Sequence, residues 1–213
     1  MAHFSQDEAL VDAFNHGQDV HRRTAAEVLG IALEDVTGNQ RRQAKAVNFG
    51  LLYGMSEFGL TRQLGFSREE SRSYIGKYFQ RYPGVLEYME RTRQVAREQG
   101  FVETILGRRL YTPDIMASNK MVKQGAERAA INAPLQGSAA DIIKMAMIEV
   151  DKILPKDQAK MLLQVHDELV FEADEAIADE LAVKLQEVMQ SVLPISVPLV
   201  VEVGKGRNWD EAH

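Results

Sequence analysis

Apolar positions in the first half of the chain recur at helical intervals in short runs, and each run is bracketed by start and stop residues. Ser5 with Glu8, Thr37 with Gln40 and Ser67 with Glu70 match the capping box. There a hydroxyl accepts from an orphan backbone N–H and the side chain three residues on reaches back. Gly17, Gly30, Gly54, Gly65 and Gly100 stand where the runs should stop, since glycine takes a left-handed cap without strain. Pro83 separates the helix opened by Ser67 from another over about Val85–Glu98. The pattern then shifts towards alternation. Phe101–Ile105 and Arg109–Thr112 flank a turn at Gly107 and predict a β-hairpin. A long helical stretch follows from about Asn119 to Leu154, with interruptions expected at Pro134 and Gly137. Met161–Val165 and Leu169–Glu172 predict paired strands around a polar turn. A helix over Asp174–Val192 and a last strand over Val197–Val203 complete the prediction. The fold class is therefore α+β: a helical module over 1–118, then a module over 119–213 in which a small antiparallel sheet packs on helices. No internal repeat or low-complexity linker divides them.

Composition adds little to this picture, and charge adds more. Of 213 residues, 45% are hydrophobic and 26% charged, which suits a folded rather than a disordered chain. No apolar run approaches the ~18 residues of a membrane span. The N-terminus carries Asp7, Glu8 and Asp12 and lacks the basic-then-apolar order of a secretory signal. The absence of cysteine excludes disulfides and thiolate metal sites, and fits the cytosol. The net charge of −6 is unevenly spread: −5 over residues 1–40, +7 over 41–128 and −8 over 129–213. A basic block between acidic flanks suits a protein that grips phosphates with one surface, and equally a set of solvated helix faces.

Within the basic block, Arg41, Lys45, Phe49 and Tyr53 follow one another at intervals of four on the helix that Thr37 caps, so they run up one face. Two cations near a helix N-terminus oppose the macrodipole and call for an anionic neighbour. Cations followed by aromatic rings at one-turn spacing match a nucleotide lying along the helix, phosphates on Arg41 and Lys45 and base against Phe49. Spacing alone suits an amphipathic helix with Phe49 and Tyr53 in the core just as well. The segment Gln164-Val-His-Asp-Glu168 is similarly open. Asp167 and Glu168 between two apolar strands can be an ordinary polar turn, or a rigid mount for carboxylates against a hard cation such as Mg²⁺.

Arg41-Arg-Gln-Ala-Lys-Ala-Val-Asn-Phe-Gly-Leu-Leu-Tyr-Gly54 resembles motif B of the family A DNA polymerases, the O helix of their fingers. His166-Asp-Glu168 between strands resembles motif C in their palm, and the likeness extends from His3 to the terminal Asn208-Trp-Asp-Glu-Ala-His213. The resemblance implies a fingers module over 1–118, with the motif B helix at 38–54. It implies a partial palm over 119–213, with the motif C hairpin at 161–172. It also implies a DNA-directed DNA polymerase of bacterial replication and repair, cytoplasmic and associated with the nucleoid. Arg41, Lys45 and His21 would meet the triphosphate of an incoming dNTP. Phe49 would lie by its sugar and base, and Tyr53 would guard the template-base position. Phenylalanine rather than tyrosine at 49 resembles the bacterial repair enzymes that discriminate against dideoxynucleotides. Asp167 would be the metal-binding catalytic carboxylate of a two-Mg²⁺ site and Glu168 its auxiliary. His166 would stand near the primer terminus. Arg128, Asn132 and Gln136, at intervals of four, resemble the palm helix that contacts primer-template DNA.

Two-metal phosphoryl transfer draws carboxylates from more than one place. The family's other essential aspartate lies in a segment Asp-Tyr-Ser-Gln-x-Glu-Leu-Arg, expected just before Met1 and not found in these 213 residues. The sequence thus reads as a polymerase fragment, inactive on its own, whose partner is the thumb and remaining palm of the same polypeptide. Two rival readings are a helix-turn-helix DNA-binding protein, from Leu60-Thr-Arg-Gln-Leu-Gly65-Phe-Ser67, and a relative of the single-subunit RNA polymerases.

Overall fold

Asp7, not Ser5, opens the first substantial helix. In the computed structural model, which describes residues 1–212 and Leu52 by its backbone alone, Ser5 ends a single turn, α1 (Ala2–Ser5). The Asp7 carboxylate accepts from Leu10 N at 3.2 Å and caps α2 (Glu8–Asn15). Its second oxygen accepts from Gly84 N at 3.0 Å, in the first turn of α7 (Pro83–Gln99). One buried carboxylate therefore caps two helices distant in sequence. Gly84 is needed for the fit, because a Cβ there would lie 3.0 Å from the Asp7 Cα.

The chain folds as two compact units, Met1–Gln136 and Gly137–His213. The first contains, after α1 and α2, helix α3 (Val20–Leu29), a 3-10 turn (Leu33–Asp35), α4 (Gly38–Leu52), α5 (Glu57–Leu64) and α6 (Arg68–Arg81), then α7. The capping boxes expected at Thr37 and Ser67 are both formed, and Gly30, Gly65 and Gly100 end their helices in the left-handed conformation. Pro83 stands at the first position of α7, where its missing N–H costs nothing. Strands β1 (Phe101–Glu103) and β2 (Arg109–Tyr111) form the expected antiparallel hairpin, Val102 opposite Leu110. Helix α3 packs on α4 through Ala25, Ala26, Val36 and Ala44. A second cluster, Ala96, Val102, Ile115 and Ala130, joins α7 and the hairpin to the early turns of α8 (Lys120–Ile153).

Pro134 and Gly137 do not interrupt α8, which runs unbroken for 34 residues. Proline removes the bond to the carbonyl four residues back and costs ~3 kcal/mol in a helix interior. Here Pro134 is itself buried, next to the wholly buried Ile131 whose carbonyl accepts from Tyr88 Oη at 2.9 Å, so packing offsets what the backbone loses.

In the second unit β3 (Ala159–Val165) pairs antiparallel with β4 (Glu168–Ala173), and Leu162 is the extra residue of a bulge. The sheet packs on the end of α8 and on α9 (Ala178–Ser191) through Val150, Leu154, Ala159, Leu181 and Leu185. Helix α9 starts later than the pattern predicted, at Ala178 rather than Asp174. The strand expected over Val197–Val203 is not formed; α10 (Trp209–Ala212) follows this segment. Its valines carry strand propensity, but a strand is made by its partner, and Pro198 removes one ladder donor. Val200 is 76% exposed. His213, the last residue of the family-like tail, lies outside the described residues.

Replacing Asp7 by alanine should cost about 2 kcal/mol, a helix cap plus one unpaired N–H. Asp7→Asn should cost about half as much, since its amide keeps one acceptor for two N–H groups. Urea unfolding midpoints of the three proteins check this ordering, and an alanine variant as stable as the parent would contradict the double cap.

Candidate functional site

Helix α4 divides its surface sharply. Ala44, Val47, Asn48 and Leu51 are buried, while Arg41 is half-exposed and Lys45 exposed. Phe49 and Tyr53, which an ordinary amphipathic helix would put in the core, are 43% and 46% exposed. Leaving two aromatic rings in water forgoes roughly 1 kcal/mol or more each. Their rings lie nearly parallel (17°) with centroids 6.4 Å apart, and the His21 ring from α3 lies 5.7 Å from that of Phe49. The structure thus gathers His21, Arg41, Lys45, Phe49 and Tyr53 on one open surface.

The anionic neighbour that two cations demand is Asp19. It caps α3 by accepting from His21 N and Arg22 N at 3.1 Å, and its other oxygen accepts from Arg41 Nε at 2.5 Å. Desolvation pushes the Asp19 carboxyl up, but Arg41 and the two backbone donors outweigh it and hold it below the usual carboxylate range. Among the described residues Lys45 makes no ion pair. A dianion or trianion arriving here meets one cation already neutralised and one held open.

His21 is tied from below. Asn48 Nδ2 lies 2.9 Å from its Nδ1 and 3.2 Å from Thr24 Oγ1, and Thr24 Oγ1 lies 3.0 Å from Tyr82 Oη. Desolvation, with Arg41 and Lys45 adding their charge, pushes the His21 imidazolium below its ordinary pKa against the opposing pull of Asp19. The shift favours the neutral ring.

Of the residues on α8, Arg128 comes against the end of α4. Gly54 has φ +69°, and a Cβ built there would fall 2.4 Å from Arg128 Cγ. Glycine is required twice over at that position, by conformation and by the Arg128 stem. Asn132 is half-buried and Gln136 exposed, and the unbroken helix keeps all three at one-turn spacing, which the expected break at Pro134 would have denied Gln136.

In the second unit, Val165 pairs with Glu168, so His166 and Asp167 form a two-residue loop. His166 has φ +53°, a left-handed conformation that is strained for most side chains but less so for histidine. Its carbonyl accepts from Gln164 Nε2 at 2.6 Å. Asp167 and His166 are exposed and Glu168 half-buried. Two adjacent carboxylates on a rigid hairpin offer hard oxygen donors. Among the described residues there is no group of three metal-ligating side chains.

Sequence reasoning missed Asp19, Thr24, Asn48 and Tyr82. Asp19 was readable as a cap, directly before a helical run. Asn48 left a fainter sign, one amide among the apolar positions of α4.

A family model described as DNA polymerase family A matches residues 1–211. The chain is 57% identical over its full length to DNA polymerase I of Pseudomonas aeruginosa, 51% to that of Lactococcus lactis and 48% to that of Mycobacterium tuberculosis. It spans 24% of the length of each of these relatives. Among solved structures it resembles the POL domain of Pol1 from M. smegmatis in complex with DNA primer-template and dNTP. The TM-score is 0.94 at 46% identity, over 99% of this chain and 38% of that one. No described helix is long and apolar enough to cross a membrane.

His21 gives a pH test of the site's geometry. Its folded pKa is depressed, so its neutral form contributes stability above the unfolded value of about 6.5, lost as pH falls through the folded value. Unfolding free energies of wild type and His21→Gln, measured from slightly alkaline to mildly acidic pH, should diverge across that window, with wild type losing more. Parallel curves would contradict it.

Proposed function

This chain belongs to DNA polymerase family A, and we propose that it is the fingers (1–118) and part of the palm (119–213) of a template-directed DNA polymerase. The observation that carries the proposal is the exposed row on α4. Two cations and two rings stand in water along one helix face, at the spacing of motif B, where burial would otherwise be favoured. In this reading Lys45 and Arg41 hold the triphosphate of an incoming dNTP, with His21 beside them. Arg41 exchanges part of its contact with Asp19 for phosphate oxygen. Phe49 lies against the sugar and base, and Tyr53 closes the template-base position. Arg128, Asn132 and Gln136 face primer-template DNA, and His166 the primer terminus.

Asp167 and Glu168 fit Mg²⁺ by donor chemistry, since the ion takes carboxylate oxygens with phosphate and water. Held by Asp167 and Glu168, such ions would supply Lewis acidity for the primer hydroxyl and charge neutralisation for the transferred phosphoryl group. The chain's own contribution is to fix Asp167 at the tip of a two-residue hairpin, with Glu168 at its base. Its carboxylates supply one side of a two-metal site. The other side, with the duplex grip of a thumb, belongs in this reading to the rest of a longer polypeptide.

In a polymerase carrying this segment within its full length, Lys45→Ala should weaken use of all four dNTPs alike. One charge-assisted contact is worth ~1.5–3 kcal/mol, or roughly ten- to a hundred-fold. Primer-extension kinetics with each dNTP are the check, and unchanged kinetics would sink the assignment. In the same assay the 213-residue chain alone should give no product. Robust extension that Asp167→Ala abolishes would show that one hairpin suffices.

A further inference from the structure

Hydrogen-bond polarity beneath His21 can be traced from a fixed end. Thr24 Oγ1 lies 2.8 Å from the carbonyl of Val20, which only accepts, so the threonine proton is committed to it. The lone pairs of Thr24 then face its other two neighbours, Tyr82 Oη at 3.0 Å and the Asn48 side chain at 3.2 Å, so the Asn48 side chain must donate, whether the single Tyr82 proton turns to Thr24 or to the Glu27 carboxylate 3.4 Å away. This settles which end of the Asn48 amide points this way: the NH₂. Its second proton is directed at His21 Nδ1, 2.9 Å away, which must accept and therefore carries no hydrogen. The opposite amide oxygen, Asn48 Oδ1, is buried without a partner among the described residues, so the orientation is held against a cost by its two donated bonds.

We propose that Asn48 is a positioning residue, oriented by Thr24, that fixes His21 as the neutral tautomer with its proton on Nε2. This rests on the nucleotide reading for its purpose, though not for its geometry. An imidazole so held offers one N–H to an anion lying on the α4 row. It adds no third cation beside Arg41 and Lys45 and turns no lone pair towards phosphate. The charged groups that face the ring are Asp19, at the cap of its own helix, and Arg41 and Lys45 from α4. Asp19 alone would favour a charged imidazole, and the amide below works against it. His21 thus serves as a directional donor, with the cationic work left to α4.

Asn48→Asp reverses the polarity, because a carboxylate accepts where the amide donated. Long-range proton–nitrogen imidazole correlation spectra of the 213-residue chain read tautomer and titration directly. Above neutral pH, wild-type His21 should show the Nε2–H form. Asn48→Asp should move the proton to Nδ1 and raise the midpoint by about one unit or more. Thr24→Val, which removes the lone pairs that orient the amide, should give a mixture of tautomers and serves if the aspartate variant does not fold. An Nδ1–H tautomer in wild type would overturn the proposal. So would an unchanged tautomer and midpoint in the aspartate variant, or an unaltered tautomer in Thr24→Val. Inorganic tripolyphosphate separates this from the nucleotide reading. Its addition should shift the wild-type Nε2 signal, and Lys45→Ala should weaken its binding at least ten-fold. Equal binding by Lys45→Ala removes the nucleotide reading while leaving the tautomer result standing.

Discussion

The pair of hydroxyls on Thr24 and Tyr82, buried to 0% and 1% exposure, is the contact on which the first unit turns. Tyr82 stands between α6 and α7 and Thr24 on α3, so their bond ties the beginning of the chain to a helix junction 58 residues later. An unmatched hydroxyl in such a place costs about 1–3 kcal/mol. The same Tyr82 hydroxyl also reaches Glu27, which accepts from Arg81 and Arg23. Burial pushes the Glu27 carboxyl up, and the two guanidinium groups more than reverse it. Through Asn48 the same node reaches α4, so the helix presenting the exposed row is referenced to the unit's interior rather than to its surface.

That reference lets α4 carry a face that is poor for folding. Its buried side, Ala44, Val47 and Leu51, packs inward, and α3 approaches closely over Ala25 and Ala26. Its outer side leaves Phe49 and Tyr53 wet and, among the described residues, Lys45 without a counter-ion. Gly54, strained for any other residue and crowded by Arg128, ends the row where α8 begins to contribute. These local costs are met by packing elsewhere.

What the sequence revealed was what depends on near neighbours. Thr37 and Ser67 find their capping partners three residues away, and Gly30, Gly65 and Gly100 end helices by their own backbone freedom, so both kinds of signal held. The His166–Asp167 loop was equally local. Ser5 misled because Asp7, two residues on, also meets Gly84, a partner 77 positions distant. Pro134 and the 197–203 segment failed for related reasons: burial outweighed one lost backbone bond, and propensity could not replace an absent strand partner. The candidate residues of α4 were legible because their spacing shares one face. Whether that face was wet or buried was not, since packing against other helices decides it. Asn48 and Thr24 were invisible as a relay because their partners come from different helices.

The central claim is that the exposed row of α4 is a nucleotide seat. Backbone and side-chain nuclear resonance of the 213-residue chain, titrated with a dNTP to millimolar concentration, tests it most directly. Perturbations should recur every fourth residue, at Arg41, Lys45, Phe49 and Tyr53, with His21 joining them and Ala44 and Val47 little affected. Lys45→Ala should reduce them. A titration that leaves the row untouched while shifting resonances elsewhere would contradict the account.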